Sequence, residues 1–448
     1  MRKLEGFPYK KVLVLGLAKS GTAVSQLLHR QGIDVVVNDL KAQDDNPSVH
    51  LLRSLEIKVI IGDHPLDLLD DIDVIIKNPG IPYENPLLEV AQSKKIPILT
   101  EIELLHYLHV NDLIGITGSN GKTTTTTLIS EMLKESSIPS RIAGNIGHVA
   151  SEVAENLAEN ETMVVELSSF QLMGIEYFKP KVAVLLNIFE AHLDYHKTLE
   201  NYKYAKANLF SNQTEEEYLV YNADDEQVNE MIKKANAKLV PFSRKSKLPN
   251  GAYADDTYIY YNNTKVMKID DIALVGSHNL ENILAAVATA KLYNVSNEAI
   301  KNVLQTFVGV AHRLQFVANK EDRLFYNDSK ATNILATTKA LQAFQKPIIL
   351  LAGGLDRGNS FDGLKPYMSN VKGMVVFGET ASKLIDLGKE IGLENIEKVN
   401  NMEEAVKCAF QLSSPNEVVL LSPACASWDQ YATFEERGNM FMNSVHKL

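Results

Sequence analysis

The chain has 448 residues, with 45 lysines and arginines against 56 aspartates and glutamates, a formal charge of −11. That balance argues against a general nucleic-acid binder, which needs a cationic face for phosphate backbones, but it leaves room for one local basic pocket. Hydrophobic residues at 45% and charged residues at 23% exclude a mostly disordered chain, and two cysteines, Cys408 and Cys425, exclude a disulfide framework and fit a reducing cytoplasm.

No apolar stretch follows the N-terminal charges, and no run of about 18 apolar residues occurs, so neither a signal peptide nor a membrane span is expected. At about 100–200 residues per domain, the length predicts two to four domains. Short aliphatic runs alternate with helical stretches, which predicts α/β domains with parallel sheets. Three series are read, with boundaries near 95–110 and 300–315.

The first series contains Val12–Leu15, Val35–Val37, Val59–Ile61 and Val74–Ile76 as strands and Ala23–Arg30 as a helix. The first strand runs into Gly16-Leu-Ala-Lys-Ser-Gly21, the position of a dinucleotide-binding fingerprint, with Ala18 in place of the second glycine. Asp39 stands roughly 20 residues on, where an acid suits a ribose hydroxyl. Asn78-Pro-Gly80 follows the fourth strand, at the end where open α/β sheets bind ligands. Each feature also reads as a plain turn without a ligand.

The second series begins at Leu113–Thr117 and continues with Met163–Glu166 and Val182–Ile188. Its first strand feeds Gly118-Ser-Asn-Gly-Lys-Thr123, and a helix is expected from Thr124 to Lys134. Such a loop wraps phosphates with backbone N–H groups, while Lys122 reaches the β- and γ-phosphates and the Thr123 hydroxyl ligates Mg²⁺. Ile116 occupies the first glycine position of the usual pattern. Glu166, at a strand end, is a natural Mg²⁺ ligand beside such a loop, though it also reads as an exposed charge. His192 alone reads as an ordinary histidine, and Lys206, on the helical stretch Asn201–Phe210, as part of a solvated face. Leu248–Asp270 reads as a small antiparallel excursion. The third series begins near Phe316–Tyr326 and continues with Pro347–Ala352, Met374–Phe377 and Val418–Leu421.

Thr117-Gly-Ser-Asn-Gly-Lys-Thr-Thr124, Glu166-Leu-Ser-Ser-Phe-Gln-Leu172, Asn187 through His192-Leu-Asp194, and Tyr204-Ala-Lys206 stand in one order with four later runs. These are Ala311-His-Arg313, Asn327-Asp-Ser-Lys-Ala-Thr-Asn333, Leu351-Ala-Gly-Gly354 and Leu420-Leu-Ser-Pro-Ala-Cys-Ala-Ser-Trp-Asp-Gln430. Over essentially its whole length the chain resembles the Mur ligase family. The third-domain runs resemble those of the D-glutamate-adding members. The Asp-Asn-Pro-Arg motif of the diamino-acid-adding ligases and the His-His-Pro motif of the L-alanine-adding ones are absent.

The resemblance implies a Rossmann-like domain over 1–100, a central P-loop domain over 101–305 and a Rossmann-like amino-acid domain over 306–448. It implies that UDP-N-acetylmuramoyl-L-alanine contacts Gly16, Ala18, Ser20, Gly21, Asp39, Asn78, Pro79, Gly80 and Asn145. ATP would take Gly118, Ser119, Asn120, Gly121, Lys122, Thr123 and Thr124 for its phosphates, Asn279 and Asn282 for its adenine, and Arg313 and Asp328 from the third domain. D-glutamate would take Lys330, Thr332, Ser427 and Phe434. Thr123 and Glu166 would hold one Mg²⁺. His192 and Lys206 would hold a second, with Lys206 carbamylated by CO₂. Lys122, Glu166, His192 and Lys206 form the implied catalytic set. Arg357 stands where relatives often have lysine.

The implied reaction is ATP-dependent amide formation through an acyl phosphate, in peptidoglycan precursor synthesis and hence in cell-wall growth, cell shape and division. The implied protein is a cytoplasmic monomer with no nucleic-acid or membrane partner. Three other readings remain open on the residues alone. One is a related amide ligase such as folylpolyglutamate synthase, which lacks the first domain. Another is a nicotinamide-dependent dehydrogenase built on the Gly16 turn. The last is a P-loop binding module without ligation.

Overall fold

The computed structural model describes residues 1–274 and 277–448, with side chains for all of these except 277 and 278. The chain divides into two compact units, one of residues 1–272 and 278–306, the other built on residues 307–448.

The first unit carries two sheets. In the first sheet, β1 (Lys11–Leu15), β2 (Asp34–Asp39), β3 (Lys58–Ile61), β4 (Val74–Lys77) and β5 (Ile98–Leu99) run parallel in the order β3-β2-β1-β4-β5. β1 is central, with Val12 opposite Val35 on one side and Val74 on the other. It is covered on both faces, so it reads as one apolar run rather than an alternation. The helix Lys19–Arg30 buries Val24, Leu27 and Leu28, one stripe at helical spacing, and places His29 and Arg30 in its last turn beside the exposed carbonyls. Two shorter helices, Pro47–Ser54 and Pro86–Ser93, start on Asn-Pro. The asparagine side chain accepts from the N–H of Ser48 or Leu87, and proline occupies the first turn, where its missing N–H costs nothing.

The second sheet has nine strands: β6 (Leu113–Thr117), β7 (Ser140–Gly144), β8 (Thr162–Glu166), β9 (Val182–Leu185), β10 (Tyr218–Asn222), β11 (Lys238–Ser243), β12 (Ala252–Ala254), β13 (Tyr258–Tyr261) and β14 (Thr264–Lys268). Their order is β14-β13-β12-β11-β10-β9-β6-β8-β7. All pairings are parallel as far as β12, and the last two are antiparallel, which is the excursion expected within 248–270. β6 is flanked by β8 and β9, so chain connections leave it in both directions. The loop after β6 therefore opens into the crevice where such sheets hold ligands. The two sheets of this unit share one apolar core, in which Val24 and Leu27 belong with Ile102, Leu105, Ala150 and Ala154. Arg30 adds a bidentate pair to Glu155, at 2.6 and 3.1 Å, and the Glu155 carboxylate is fully buried.

The second unit is a six-stranded sheet of β15 (Gln315–Lys320), β16 (Arg323–Asn327), β17 (Ile348–Gly353), β18 (Val371–Phe377), β19 (Asn395–Lys398) and β20 (Val418–Leu421), ordered β15-β16-β20-β17-β18-β19. The run Phe316–Tyr326 is a hairpin rather than one strand. β15 lies antiparallel to β16, and Glu321 and Asp322 turn between them at φ of +50° and +61°. Two consecutive positive φ values are the geometry of a tight hairpin, here reached without the usual glycine or asparagine. The other pairings are parallel.

Candidate functional site

The phosphate loop leaves β6 and enters the helix Lys122–Glu135, with Gly121 as N-cap at φ +83°. Glycine is required there twice over. The left-handed conformation disfavours any Cβ, and a Cβ would fall 2.0 Å from the Asn282 Oδ1 atom. Asn187 shapes the loop: its carbonyl accepts from Ser119 N–H and its side-chain oxygen from Asn120 N–H, both at 2.9 Å. Lys122 folds back, its Nζ donating to the carbonyls of Gly118 (2.9 Å) and Ser119 (3.1 Å). The neighbouring Thr124 is buried. Asn282 Nδ2 donates to Asn279 Oδ1 at 3.2 Å, so the two asparagines meet beside Gly121.

Glu166, at the end of β8, joins two loops. Its Oε2 accepts from the Thr123 hydroxyl at 2.7 Å and its Oε1 from Asn145 Nδ2 at 2.9 Å. Among the described residues no cluster of three or more His, Cys, Asp and Glu side chains could hold a metal. The adjoining Thr123 hydroxyl and Glu166 carboxylate are nevertheless hard oxygen donors, the type Mg²⁺ prefers, so they fit the first ion.

Lys206 lies on the helix Leu199–Ser211, capped by the Thr198 hydroxyl. Its side chain is buried, and Nζ donates to Gly118 O (2.9 Å) and Thr117 Oγ1 (3.2 Å) and sits 4.7 Å from the centre of the Tyr202 ring. Burial holds this amine well below the usual lysine range. The cation of Lys122 adds to the shift and Glu166 opposes it. As an ammonium, Lys206 does not fit a metal site; as a carbamate it would bring two oxygens. Lys203 turns away to Glu200, Gln227 and Glu230. His192 is exposed, at φ +56°, with its ring 5.1 Å from that of Phe170. Partial desolvation lowers its pKa, and the Lys206 cation acts in the same direction. Non-glycine residues at positive φ cost about 1–3 kcal/mol each and gather at functional sites; His192 and Lys197 bracket this loop.

In the first sheet, Gly16 and Asn78 stand at the carboxyl ends of adjacent strands. Asn78 Nδ2 donates to Ser20 Oγ at 3.3 Å, and Gly80 N–H donates to Asn78 Oδ1 at 3.2 Å, with Pro79 between them. A Cβ on Gly21 would lie 1.9 Å from Gly16 O, so the helix starting beside Ala18 packs against the strand end as the fingerprint's third glycine demands. Asp39 is engaged by backbone: it accepts from Leu17 N–H at 2.6 Å and from Lys41 and Ala42 N–H at 2.8 Å each. A cavity of about 640 Å³ runs from Leu17 and Lys19 of this loop to Arg141, Gly147 and His148 of the central domain.

In the second unit, Asp328 is buried at the end of β16. It accepts from the Ser422 hydroxyl (2.8 Å) and Leu314 N–H (3.2 Å), and Arg313 lies near enough to act on its charge. Lys330 Nζ lies 5.6 Å from the Phe434 ring centre, and Thr332 N–H donates to Lys330 O. The Ser427 hydroxyl is buried without a protein partner, an orphan donor suited to a ligand. His312, Leu314 and Ala424 adopt positive φ around these loops. Arg357 stacks on the exposed Trp428 ring at 4.8 Å.

Sequence reasoning missed three residues that build these sites: Asn187 as a loop former, the buried Lys77, and Arg437. The Arg437 guanidinium is fully buried and donates to Ser329 Oγ, Ser329 O, Cys425 O and Gly353 O, tying together three loops. Only its position near the start of the amphipathic helix Phe434–His446 signals it.

Family models match three segments: "Mur ligase MurD-like, N-terminal domain" over residues 10–100, "Mur ligase middle domain" over 116–290, and "Mur ligase, glutamate ligase domain" over 312–425. Curated proteins named UDP-N-acetylmuramoylalanine–D-glutamate ligase are similar end to end. That of Oceanobacillus iheyensis is 55% identical over 448 residues, covering 100% of both chains, and that of Bacillus subtilis is 55% identical over 438 residues, covering 97% of both. Among solved structures, UDP-N-acetylmuramate-alanine ligase MurC from Thermotoga maritima matches with TM-score 0.56 at 20% identity, covering 98% of this chain and 99% of that one. MurF from Acinetobacter baumannii matches with TM-score 0.57 at 19% identity, covering 97% and 90%. At these identities the structures speak for the fold alone. No described helix is long and apolar enough to cross a membrane.

Proposed function

The chain belongs to the Mur ligase family, and on that premise we propose that it joins D-glutamate to UDP-N-acetylmuramoyl-L-alanine, driven by ATP, in peptidoglycan precursor synthesis. The observation that carries this reading is the end-to-end identity of 55% to ligases of that name. The assembly of the Gly118–Thr123 loop, Glu166, Asn145 and Lys206 in one place supports it.

A carboxylate is a poor acyl donor, because its oxygen is a poor leaving group. Attack of the alanyl carboxylate on the γ-phosphorus of ATP gives an acyl phosphate and ADP. The amine of D-glutamate then attacks the carbonyl, phosphate leaves, and the nitrogen loses a proton. In the phosphate loop, Gly118, Ser119, Asn120 and Gly121 present backbone to the phosphates. Lys122 exchanges the Gly118 and Ser119 carbonyls for phosphate oxygens, and Thr123 and Thr124 open the helix that follows. Asn279 and Asn282 hold the adenine, and Arg313 and Asp328 serve the nucleotide from the third domain. Thr123 and Glu166 would hold one Mg²⁺, and His192 with carbamylated Lys206 a second; bound there, the ions would supply positive charge to offset that on the transferring phosphoryl group.

Carbamylation follows R–NH₂ + CO₂ → R–NH–COO⁻ + H⁺ and needs the neutral amine. Burial, which lowers the Lys206 pKa, favours that form. Gly16, Ala18, Ser20, Gly21, Asp39, Asn78, Pro79 and Gly80 hold the UDP end of the substrate. The cavity lined by Leu17 and Lys19 on one side and by Gly147 and His148 on the other lies beside this loop. Lys330, Thr332, Ser427 and Phe434 receive D-glutamate, with Arg357 nearby as a second cation. The protein works as a cytoplasmic monomer within the pathway that serves cell shape and division.

The test is phosphate release from ATP with UDP-N-acetylmuramoyl-L-alanine and, in turn, D-glutamate, L-glutamate, L-alanine or no amino acid. D-glutamate alone is expected to sustain turnover. Comparable turnover with L-alanine, or release without any amino acid, overturns the assignment.

A further inference from the structure

Lys77, the last residue of β4, has one of the largest fully buried side chains in the protein. Its Nζ donates to three backbone carbonyls of the turn that follows: Ile81 O at 2.8 Å, Pro79 O at 3.0 Å and Asn78 O at 3.5 Å. It also bonds the Tyr195 hydroxyl at 3.2 Å and lies 4.7 Å from the centre of the Tyr83 ring. No carboxylate is among these partners. A lysine buried without a counter-ion is costly, and burial alone pushes this one down to about 7. Methionine would fill the space without that cost, but it could not donate to three carbonyls.

The two things it joins are far apart in sequence. One is the turn from Asn78 to Ile81, whose Asn78 side chain reaches the Gly16–Gly21 loop through Ser20. The other is the short helical turn Leu193–His196, which begins directly after His192. Tyr195 completes the junction, its hydroxyl meeting Ile81 O at 3.0 Å as well, and its ring packs on Phe170 at 4.6 Å.

We propose that Lys77 is a positioning residue that, through Tyr195, staples the Asn78–Ile81 turn of the first domain to the His192 loop of the central domain, so that the nucleotide end and the reacting end of one substrate are held in register. The kinetic part of this proposal rests on the ligase reading above; the structural tie does not. The role assigned to Lys77 acts through the turn and through Tyr195, not by contact with the reacting atoms.

The experiment follows Lys77→Met, Tyr195→Phe and the double variant, each checked for a cooperative melt, by amide hydrogen exchange without ligands and by steady-state kinetics. In Lys77→Met, exchange is expected to quicken both at residues 80–81 and at residues 193–196. Hydrogen bonds to a charged group that position a ligand translate into a KM for UDP-N-acetylmuramoyl-L-alanine raised on the order of tenfold, with the KM for ATP unchanged. Tyr195→Phe is expected to quicken exchange at 80–81, and the double variant to be no worse than Lys77→Met, because both changes cut one connection. Unchanged exchange at 193–196 in Lys77→Met, additive effects in the double variant, or an equal rise in the KM for ATP overturns the proposal. Should Lys77→Met not fold, Tyr195→Phe decides alone: unchanged exchange at 80–81 refutes the tie. Failure of the ligase reading would show separately, as wild-type protein without D-glutamate-dependent phosphate release.

Discussion

Replacing Gly121 by alanine tests how the phosphate loop and the asparagine pair depend on each other. Two costs are expected. An alanine at φ +83° costs about 1–2 kcal/mol in backbone strain. Its Cβ would also lie 2.0 Å from Asn282 Oδ1 and 2.9 Å from Asn282 Cγ, so the carboxamide must move by more than an ångström and lose its 3.2 Å bond to Asn279. Asn282 is buried, so that displacement adds roughly 1–2 kcal/mol. The sum, about 2–4 kcal/mol, corresponds in a unit of this size to a fall in Tm of roughly 3–6 °C, at about 2.1 cal/mol/K of unfolding entropy per residue. Gly147 is the control, with φ +103° but nothing near its missing Cβ, so alanine there carries the strain alone. Calorimetric melts of the two variants, with titration by a non-hydrolysable ATP analogue, separate the two costs. Gly121→Ala is expected to melt lower than Gly147→Ala and to bind the analogue at least tenfold more weakly. Adding Asn282→Ala is expected to restore part of the lost stability. Equal melts for the two glycine variants, or no relief from Asn282→Ala, would refute the reasoning.

Lys122→Ala is expected to abolish ligation while UDP-substrate binding, measured by calorimetry, survives; near-normal turnover in a folded variant would remove the phosphate-loop assignment. Lys206→Ala is expected to lose most activity and to regain part of it with added short carboxylic acids, which would fill the place of the carbamate. Full activity without added acid, or a plain ammonium in a complex with substrate and Mg²⁺, contradicts carbamylation. Burial pushes the Asp328 carboxyl up to about 7, although the Ser422 hydroxyl, the Leu314 N–H and the Arg313 charge all oppose the shift. Between about pH 4 and pH 7 the folded state therefore holds a proton that the unfolded chain has lost, and stability from this group falls as pH rises through that window. Asp328→Asn is expected to flatten that part of the Tm–pH curve, and an unchanged slope would count against the buried proton.

The loop around Lys122 is legible in sequence because its whole mechanism is local: a strand, two glycines, a lysine and a helix start lie within a dozen residues. Glu166 is legible for a similar reason, as a charge ending an apolar run. Lys77 is not. In sequence it is a lysine at a strand end, and its burial depends on Tyr195, 118 positions later, and on the carbonyls of a turn that any residues could form. Arg437 fails the same way, since three of its four acceptors are backbone oxygens, of Ser329, Gly353 and Cys425. In the fold, β7 is missed because only Ala143 of its five residues is buried, and β11 because it carries Pro241 and exposes Lys238 and Leu239. The Phe316–Tyr326 hairpin hides because its turn residues, Glu321 and Asp322, lack the glycine or asparagine that usually marks such a turn.

The central sheet must also stop somewhere, and β14 is one of its two borders. A border strand offers a row of unpaired backbone groups to any other extended chain. Here Thr264, Lys265 and Lys268 are exposed while Val266 and Met267 are buried. Lys265 lies over the Tyr258 ring, and its carbonyl already accepts from the Asn297 side chain. An incoming strand would have to desolvate two ammonium groups and displace that amide before gaining its first backbone bond. The antiparallel excursion thus gives a large, otherwise adhesive parallel sheet an end that resists fibril growth and strand exchange at high protein concentration.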